Sequence, residues 1–308
     1  MRVAVVDIGT NSTRLLVAEV DRERGSVEEL ARGSRVTRLG EGVDANGKLS
    51  QEAIERVLST LAGYREQMDA LEVVANLAVL TSAVRDAENG PGFAERVRER
   101  YGLDARVLSG DEEAQLTFLG TMSGRPAPSE PTVVIDIGGG STEFIIGRGR
   151  RAGFHVSLPA GVVRLSERHI HSDPPDPEEL QRLAADARGT FLAGLPPEQR
   201  APVRAAIAVA GTATSAAAMD QELDPYDPTR VHGYRLLRGT VELLLARLAD
   251  MEEARRRGVV GLDPSRAPTI VAGMILLNEA LTAFELEQVE VSEHDILYGG
   301  ALRLAGAE

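Results

Sequence analysis

The chain contains no cysteine, which removes disulfides and thiolate metal sites from consideration. Lysine is nearly absent as well. Lys48 is the single one among 308 residues, so arginine carries almost all the positive charge. Arginine suits phosphate because its planar fork donates two hydrogen bonds at once, although Arg and Ala richness is also what genomic base composition would produce. No apolar run reaches the roughly 18 residues that a membrane-spanning helix needs. The opening stretch from Met1 to Asp7 is too short and too soon charged for a secretory signal, and a cytoplasmic protein is expected. An excess of positive charge is missing too: the formal net charge is −13. That speaks against a surface for nucleic acid or membrane. It leaves room for a small polyanion, which needs only a local cluster of donors and a divalent cation.

What is present reads as a soluble globular chain, 43% hydrophobic and 26% charged, long enough for two domains. Val3 to Val6 form a buried strand that runs into Asp7 and a tight turn, and residues 13–20 form a second strand closed by a polar hairpin at 21–25. Residues 50–69 read as a helix with Ser50 as N-cap and an apolar face of Ala53, Ile54, Val57, Leu58 and Leu61. A strand at 71–80, a helix at 92–101, a short strand at 105–108 and an acidic-headed helix at 111–121 follow. Pro, Gly and Ser at 124–129 mark a domain boundary. Beyond it come a strand at 132–136, its return at 144–147, a helix from Glu178 and a strand at 205–210. The remainder is expected to be mostly helical, with a loop near 258–268 and a closing helix from Ser292. Alternating strands and helices predict an α/β fold.

One internal echo stands out. Asp7-Ile8-Gly9-Thr10-Asn11-Ser12-Thr13 matches Asp136-Ile137-Gly138-Gly139-Gly140-Ser141-Thr142, and the copies fall on either side of the boundary. Each is an apolar strand ending in Asp, then Gly, then small hydroxyl residues. Such a turn lets backbone N–H groups approach phosphate oxygens, because the glycines place no Cβ in the way. Its aspartate can hold Mg²⁺ directly or through water. The Walker pattern GxxxxGK[ST] and the dinucleotide fingerprint GxGxxG are absent from the required strand-to-helix context. Two matched copies predict two related domains, each presenting one phosphate loop.

These two loops resemble those of the actin/sugar-kinase/Hsp70 superfamily. The form Asp136-Ile137-Gly138-Gly139-Gly140-Ser141-Thr142-Glu143 is similar to that of the exopolyphosphatase/guanosine pentaphosphate phosphohydrolase family. Thr81-Ser82-Ala83-Val84-Arg85-Asp86-Ala87, Ser109-Gly110-Asp111-Glu112-Glu113-Ala114 and Ala210-Gly211-Thr212-Ala213-Thr214-Ser215 fit the same family, so the resemblance spans nearly the whole chain. It implies two actin-like (ribonuclease H-like) domains, 1–124 and 125–291, with mixed sheets flanked by helices and an active site in the interdomain cleft. A closing helix of about 292–308 would pack back on the first domain.

The resemblance also implies roles. Glu113 matches the catalytic glutamate that deprotonates the attacking water. On composition alone, Asp111, Glu112 and Glu113 would serve equally well as a solvated acidic helix start. Asp136 and Glu143 match positions linked to the divalent cation, Mg²⁺ with Mn²⁺ as the alternative, and Asp7 is expected at the metal from the first loop. Phosphate contacts are implied for Gly9, Thr10, Asn11, Ser12, Gly138, Gly139, Gly140, Ser141 and Thr142 in the loops, for Gly211 and Thr212, and for Arg14, Arg85 and Arg266. The family commonly shows Arg-Ala-Asp where this chain has Arg266-Ala267-Pro268. Glu293-His294-Asp295 leads into Tyr298-Gly299-Gly300, where many relatives show Leu-Arg-Glu-Gly, and no catalytic role is assigned there. His155, His169, His171 and His232 lack metal-ligand spacing. The expected activity is Mg²⁺-dependent release of the terminal phosphate of inorganic polyphosphate by a homodimer. The alternatives are hydrolysis of pppGpp to ppGpp, a superfamily kinase, and a non-catalytic regulator that binds polyphosphate or (p)ppGpp.

Overall fold

The computed structural model describes residues 1–125, 128–149 and 151–307. The chain divides into two compact units, residues 1–126 with 294–308, and residues 127–293. The first unit runs β1 (Arg2–Ile8), β2 (Ser12–Asp21), β3 (Ser26–Val36), α1 (Val43–Asn46), α2 (Gln51–Ala70), β4 (Ala75–Leu80), α3 (Ser82–Asp86), α4 (Gly90–Tyr101), β5 (Ala105–Val107) and α5 (Gly110–Thr121). The second runs β6 (Thr132–Ile137), β7 (Thr142–Arg148), β8 (Arg151–Leu158), α6 (Val162–His169), α7 (Pro177–Gly194), α8 (Pro197–Arg200), β9 (Ala205–Val209), α9 (Ala210–Asp220), α10 (Pro228–Val231), β10 (Arg235–Leu237), α11 (Arg238–Ala249), α12 (Glu253–Arg256), α13 (Ile270–Ala283) and β11 (Gln288–Val291). Helix α14 (Ile296–Ala305) then returns to the first unit.

The strand orders show the duplication. The first sheet is β3-β2-β1-β4-β5 and the second β10-β11-β9-β6-β7-β8. Read outward from β1 and β6, both have two successive antiparallel pairings on one side and two successive parallel pairings on the other. Strand β10 adds an antiparallel edge to the second sheet only. The mixed α/β class follows from these sheets and the helices that flank them.

Strand β1 explains the layering of the first unit. Val3, Ala4, Val5 and Val6 are all fully buried, and a strand apolar on both faces needs cover on both. Ala4, Val6 and Ile8 join a core with Ile54, Leu58, Phe93 and Val97 of α2 and α4. Val3 and Val5 join Leu297, Ala301 and Leu302 of α14. Helix α2 forms where its period predicts, and the Ser50 side chain accepts from the Ala53 N–H. In the second unit, α13 is buried almost all round, as suits a helix apolar on every face. Phe144 meets the Phe191 ring edge-on at 4.9 Å.

Several elements differ from expectation. Strand β4 begins at Ala75 rather than residue 71. Residues 71–74 instead turn out of α2, with Glu72 at a φ of 52° and Val74 exposed. Strand β3 is largely polar and half exposed, so it carries no period-2 signal. The C-terminal part is mostly helical, as expected, and also holds β10 and β11, which at 3 and 4 residues are too short for periodicity to reveal. The closing helix starts at Ile296, not Ser292. The preceding segment continues the path of β11, with the Ser292 N–H donating to Ala208 O.

Both sheets present their functional loops from one edge. In the first unit Ile8 is level with Leu80 and Leu80 with Val107, so the segments after β1, β4 and β5 emerge together. In the second, Asp136 is level with Val209 and Ala208 with Val291. This is the carboxyl edge of parallel strands, where α/β folds bind ligands.

Candidate functional site

The first hairpin, between β1 and β2, is closed by the Gly9 N–H donating to Ser12 O at 3.0 Å. Its carbonyls are held from behind. Thr10 O accepts from the Gly40 N–H, and Asn11 O accepts from the N–H groups of Thr37 and Arg38, all at 2.8–3.0 Å. A trans peptide points its N–H opposite to its C=O, so these bonds turn the Asn11 and Ser12 N–H groups the other way. The Thr10 and Ser82 hydroxyls lie 2.9 Å apart, which joins the hairpin to the start of α3.

The second hairpin, between β6 and β7, repeats this with the Gly138 N–H donating to Ser141 O, again at 3.0 Å. Here the N-terminus of α6 holds the carbonyls. The Val162 N–H donates to Gly138 O, the Val163 and Arg164 N–H groups to Gly139 O, and Arg164 Nε to Gly140 O at 2.8 Å. The N–H groups of Gly139, Gly140 and Ser141 are thereby turned away from α6. A Cβ on Gly161 would lie 2.3 Å from Gly139 O, so only glycine lets this helix approach.

The residue seven positions after each hairpin aspartate sits opposite it in register: Arg14 opposite Asp7, and Glu143 opposite Asp136. Arg14 donates from Nε and Nη2 to Asp7 Oδ2 at 2.9 and 2.7 Å, and from Nη1 to Asp295 Oδ2. Both carboxylates are buried. Burial pushes the Asp7 carboxyl up despite Arg14 beside it. Burial acts the same way on Asp295, but Arg14, Arg32 and the Leu297 N–H outweigh it and hold that carboxyl below the usual range. Asp7, expected at the metal, thus has an arginine rather than a second carboxylate as its cross-strand neighbour. Asp295 had no expected role. Its only local signal is that of a helix N-cap, for Oδ1 accepts from the Leu297 N–H, and nothing local points to Arg14, 281 residues away.

Helix α5 sorts the three acidic residues at its start. Glu112 closes a capping box with Ser109: its Oε2 accepts from the Ser109 N–H and hydroxyl, both at 2.9 Å. Asp111 is exposed and Glu113 is buried. Arg85, at the end of α3, donates from Nη1 to Glu113 Oε2 at 3.1 Å and to Leu108 O at 3.0 Å. Arg85 and Glu113, distant in sequence, are therefore one ion-paired unit.

In the second unit Asp136 and Glu143 are both buried, and Ser157 on β8 donates its hydroxyl to Glu143 Oε1 at 2.7 Å. Arg266 follows Pro264 and Ser265 in a short 3-10 turn, and its guanidinium lies on Gly211 at the start of α9. A Cβ there would meet Arg266 Nη1 at 1.9 Å. Thr212 is buried beside them. Arg266, Gly211 and Thr212 come together in this way, although Arg266 lies on no strand end.

Among the described residues no group of three or more His, Asp or Glu side chains could hold a metal ion. Asp136 and Glu143 nevertheless fit Mg²⁺. Two buried carboxylates level on neighbouring strands match an ion that takes one or two protein carboxylates and fills its octahedron with water and substrate phosphate. No helix among the described residues is long and apolar enough to cross a membrane.

The Ppx/GppA phosphatase family model matches residues 16–303. The chain is 36% identical over 319 aligned residues to Exopolyphosphatase 2 of Mycobacterium tuberculosis, with 99% of each covered. Its structure is similar to the crystal structure of the Aquifex aeolicus member of the Ppx/GppA family, with a TM-score of 0.81, 31% identity and coverage of 98% and 97%. It is also similar to that of an exopolyphosphatase from Cytophaga hutchinsonii, with a TM-score of 0.90, 26% identity and coverage of 100% and 99%.

Proposed function

The chain belongs to the Ppx/GppA phosphatase family, and from that premise we propose that it is an exopolyphosphatase, a phosphoanhydride hydrolase that removes the terminal phosphate of inorganic polyphosphate. The reading draws on both units. The N–H groups of each hairpin receive phosphate oxygens, and Arg266 with the start of α9 adds positive charge. Glu113 takes a proton from water as its oxygen attacks the terminal phosphorus. The bridging P–O bond breaks, its electron pair leaves with the shortened chain, and orthophosphate is released. Arg85 holds the Glu113 carboxylate in place. Mg²⁺, held by Asp136 and Glu143, would offset the negative charge that otherwise repels the attacking water.

One observation carries the proposal. Of three adjacent acidic residues, Glu113 alone is buried, and Arg85 holds it on the sheet edge that also carries the first hairpin, while Glu112 is consumed by the helix cap. The test is phosphate release in Mg²⁺ from short polyphosphate, long polyphosphate, pppGpp and ATP in parallel. The expected outcome is release from polyphosphate, reduced about 10²- to 10⁴-fold in Glu113→Ala. Release from pppGpp alone would move the substrate to the nucleotide. Undiminished release in Glu113→Ala would remove this residue as the base.

A further inference from the structure

We infer that the outer edge of β3 is the surface on which a second copy of this chain docks, the two β3 strands pairing antiparallel about a two-fold axis between Leu30 and Ala31. The observations behind it are independent of the hydrolase reading. Strand β3 ends the first sheet and pairs with β2 alone, so its other edge offers backbone N–H and C=O groups to a further strand. At 11 residues it is the longest strand described. The other sheet edges offer less: β5 and β10 have 3 residues each, and β8 carries no acidic residue.

Charges usually protect an edge, because like charges meet when another strand approaches. The order of signs along β3 does the reverse for its own copy. Glu28 and Glu29 lie in its first half, Arg32 and Arg35 in its second. An antiparallel copy sets acid against base, whereas a parallel copy would set acid against acid.

The two faces of the strand fix the register. Val27 packs with the core under α14 and Ala31 with the core under α2, and a Cβ on Gly33 would meet the Tyr64 ring of α2 at 2.9 Å. Glu29 is on the α14 side, where the Tyr298 hydroxyl donates to its Oε2 at 3.4 Å. Arg32 joins it there, 3.7 Å away. In a regular strand, residues three apart lie on opposite faces. The irregularity where β3 passes Val17 and Ala18 leaves Leu30 without a partner on β2 and brings Glu29 and Arg32 to one face. Residues opposite each other in an antiparallel pair must share a face. The proposed axis meets that condition. Glu29 lies opposite Arg32 of the second copy, and Val27 opposite Ser34, on the α14 side. Glu28 lies opposite Gly33, and Ser26 opposite Arg35, on the α2 side. Each contact occurs twice, as a two-fold interface requires, and the exposed Leu30 sits at the axis.

One pair of strands buries less than the roughly 800 Å² per partner of a stable interface, so the dimer is reversible. Sedimentation velocity of the unaltered protein is expected to show monomer giving way to dimer in the micromolar range, with a dissociation constant about tenfold higher in strong salt. Amides of residues 26–35 should exchange hydrogen about tenfold more slowly at the dimer's concentrations than at the monomer's, while those of β10 do not change. Glu29→Arg sets arginine opposite arginine, and Arg32→Glu sets glutamate opposite glutamate, so each variant alone should be monomeric. Mixed, they should form a dimer, because each supplies the charge that the other lacks.

A monomer at every concentration of the unaltered protein would overturn the inference. So would a dimer whose β3 amides exchange at the monomer's rate, since its interface would lie elsewhere. Variants that stay monomeric when mixed would overturn the two-fold register. If Arg32→Glu does not fold, the hydrogen-exchange comparison, which uses the unaltered chain, decides alone.

Discussion

In the first hairpin the residue level with the aspartate is Arg14, and in the second it is Glu143. The backbone is otherwise the same, down to the 3.0 Å bond from the Gly N–H to the Ser carbonyl that closes each turn. One aspartate therefore faces an arginine across its hairpin, and the other faces a second carboxylate. A duplicated frame has been given opposite electrostatics by one side chain seven residues after the aspartate. The backing differs too. The first hairpin leans on the loop at residues 37–40, the second on the amide end of α6.

The largest expected effect on this comparison is on metal dependence. Asp136→Asn should raise the Mg²⁺ concentration for half-maximal phosphate release by about 10- to 100-fold, whereas Asp7→Asn should leave it within about threefold. An equal shift in both would break the contrast. A smaller effect separates the two kinds of backing. Gly161→Ala places a methyl 2.3 Å from Gly139 O, so α6 must move; thermal unfolding should show a loss of about 1–3 kcal/mol together with reduced phosphate release. Gly189→Ala, on α7 with nothing within 4 Å, should instead be stabilising by up to about 1 kcal/mol. A similar response at both glycines would mean that α6 does not shape its hairpin.

The smallest effect concerns pH. Glu179 accepts from the Ser172 hydroxyl at 2.6 Å and from the His171 and Asp176 N–H groups. The Ser172 bond first, and then those N–H groups, pull its carboxyl down to about 2 from an ordinary 4.5. A depressed carboxyl contributes stability that is present above pH 4.5 and fades as the pH falls toward 2. The melting temperature of Glu179→Gln should therefore decline less steeply than that of the unaltered protein in this window. The long helix of the first unit, α2, is capped by Ser50, which does not titrate, so Ser50→Ala should lower the melting temperature without altering that slope.

Much of the frame was legible because it is written in short-range patterns. Ser50 and the period of α2, the strand-Asp-Gly pattern of both hairpins, and the acidic head of α5 each depend on residues a few positions apart. Strands β3, β10 and β11 were not, since two are shorter than any readable period and the third is a polar edge. The acidic cluster at 111–113 shows the limit within one site. Sequence places three carboxyls on one turn, and only the folded chain shows that Ser109 occupies Glu112 while Arg85 reaches Glu113.

By itself, then, the sequence determined the two hairpins and their registers, because a tight turn between adjacent strands leaves the pairing no freedom: Asp7 must meet Arg14 and Asp136 must meet Glu143. Tertiary structure alone decided that Asp295 grips Arg14 and that Arg266 lies on Gly211. Those partners are brought together by the return of α14 to the first sheet and by the packing of a loop on α9. Their meeting depends on where whole elements dock, which no local spacing encodes.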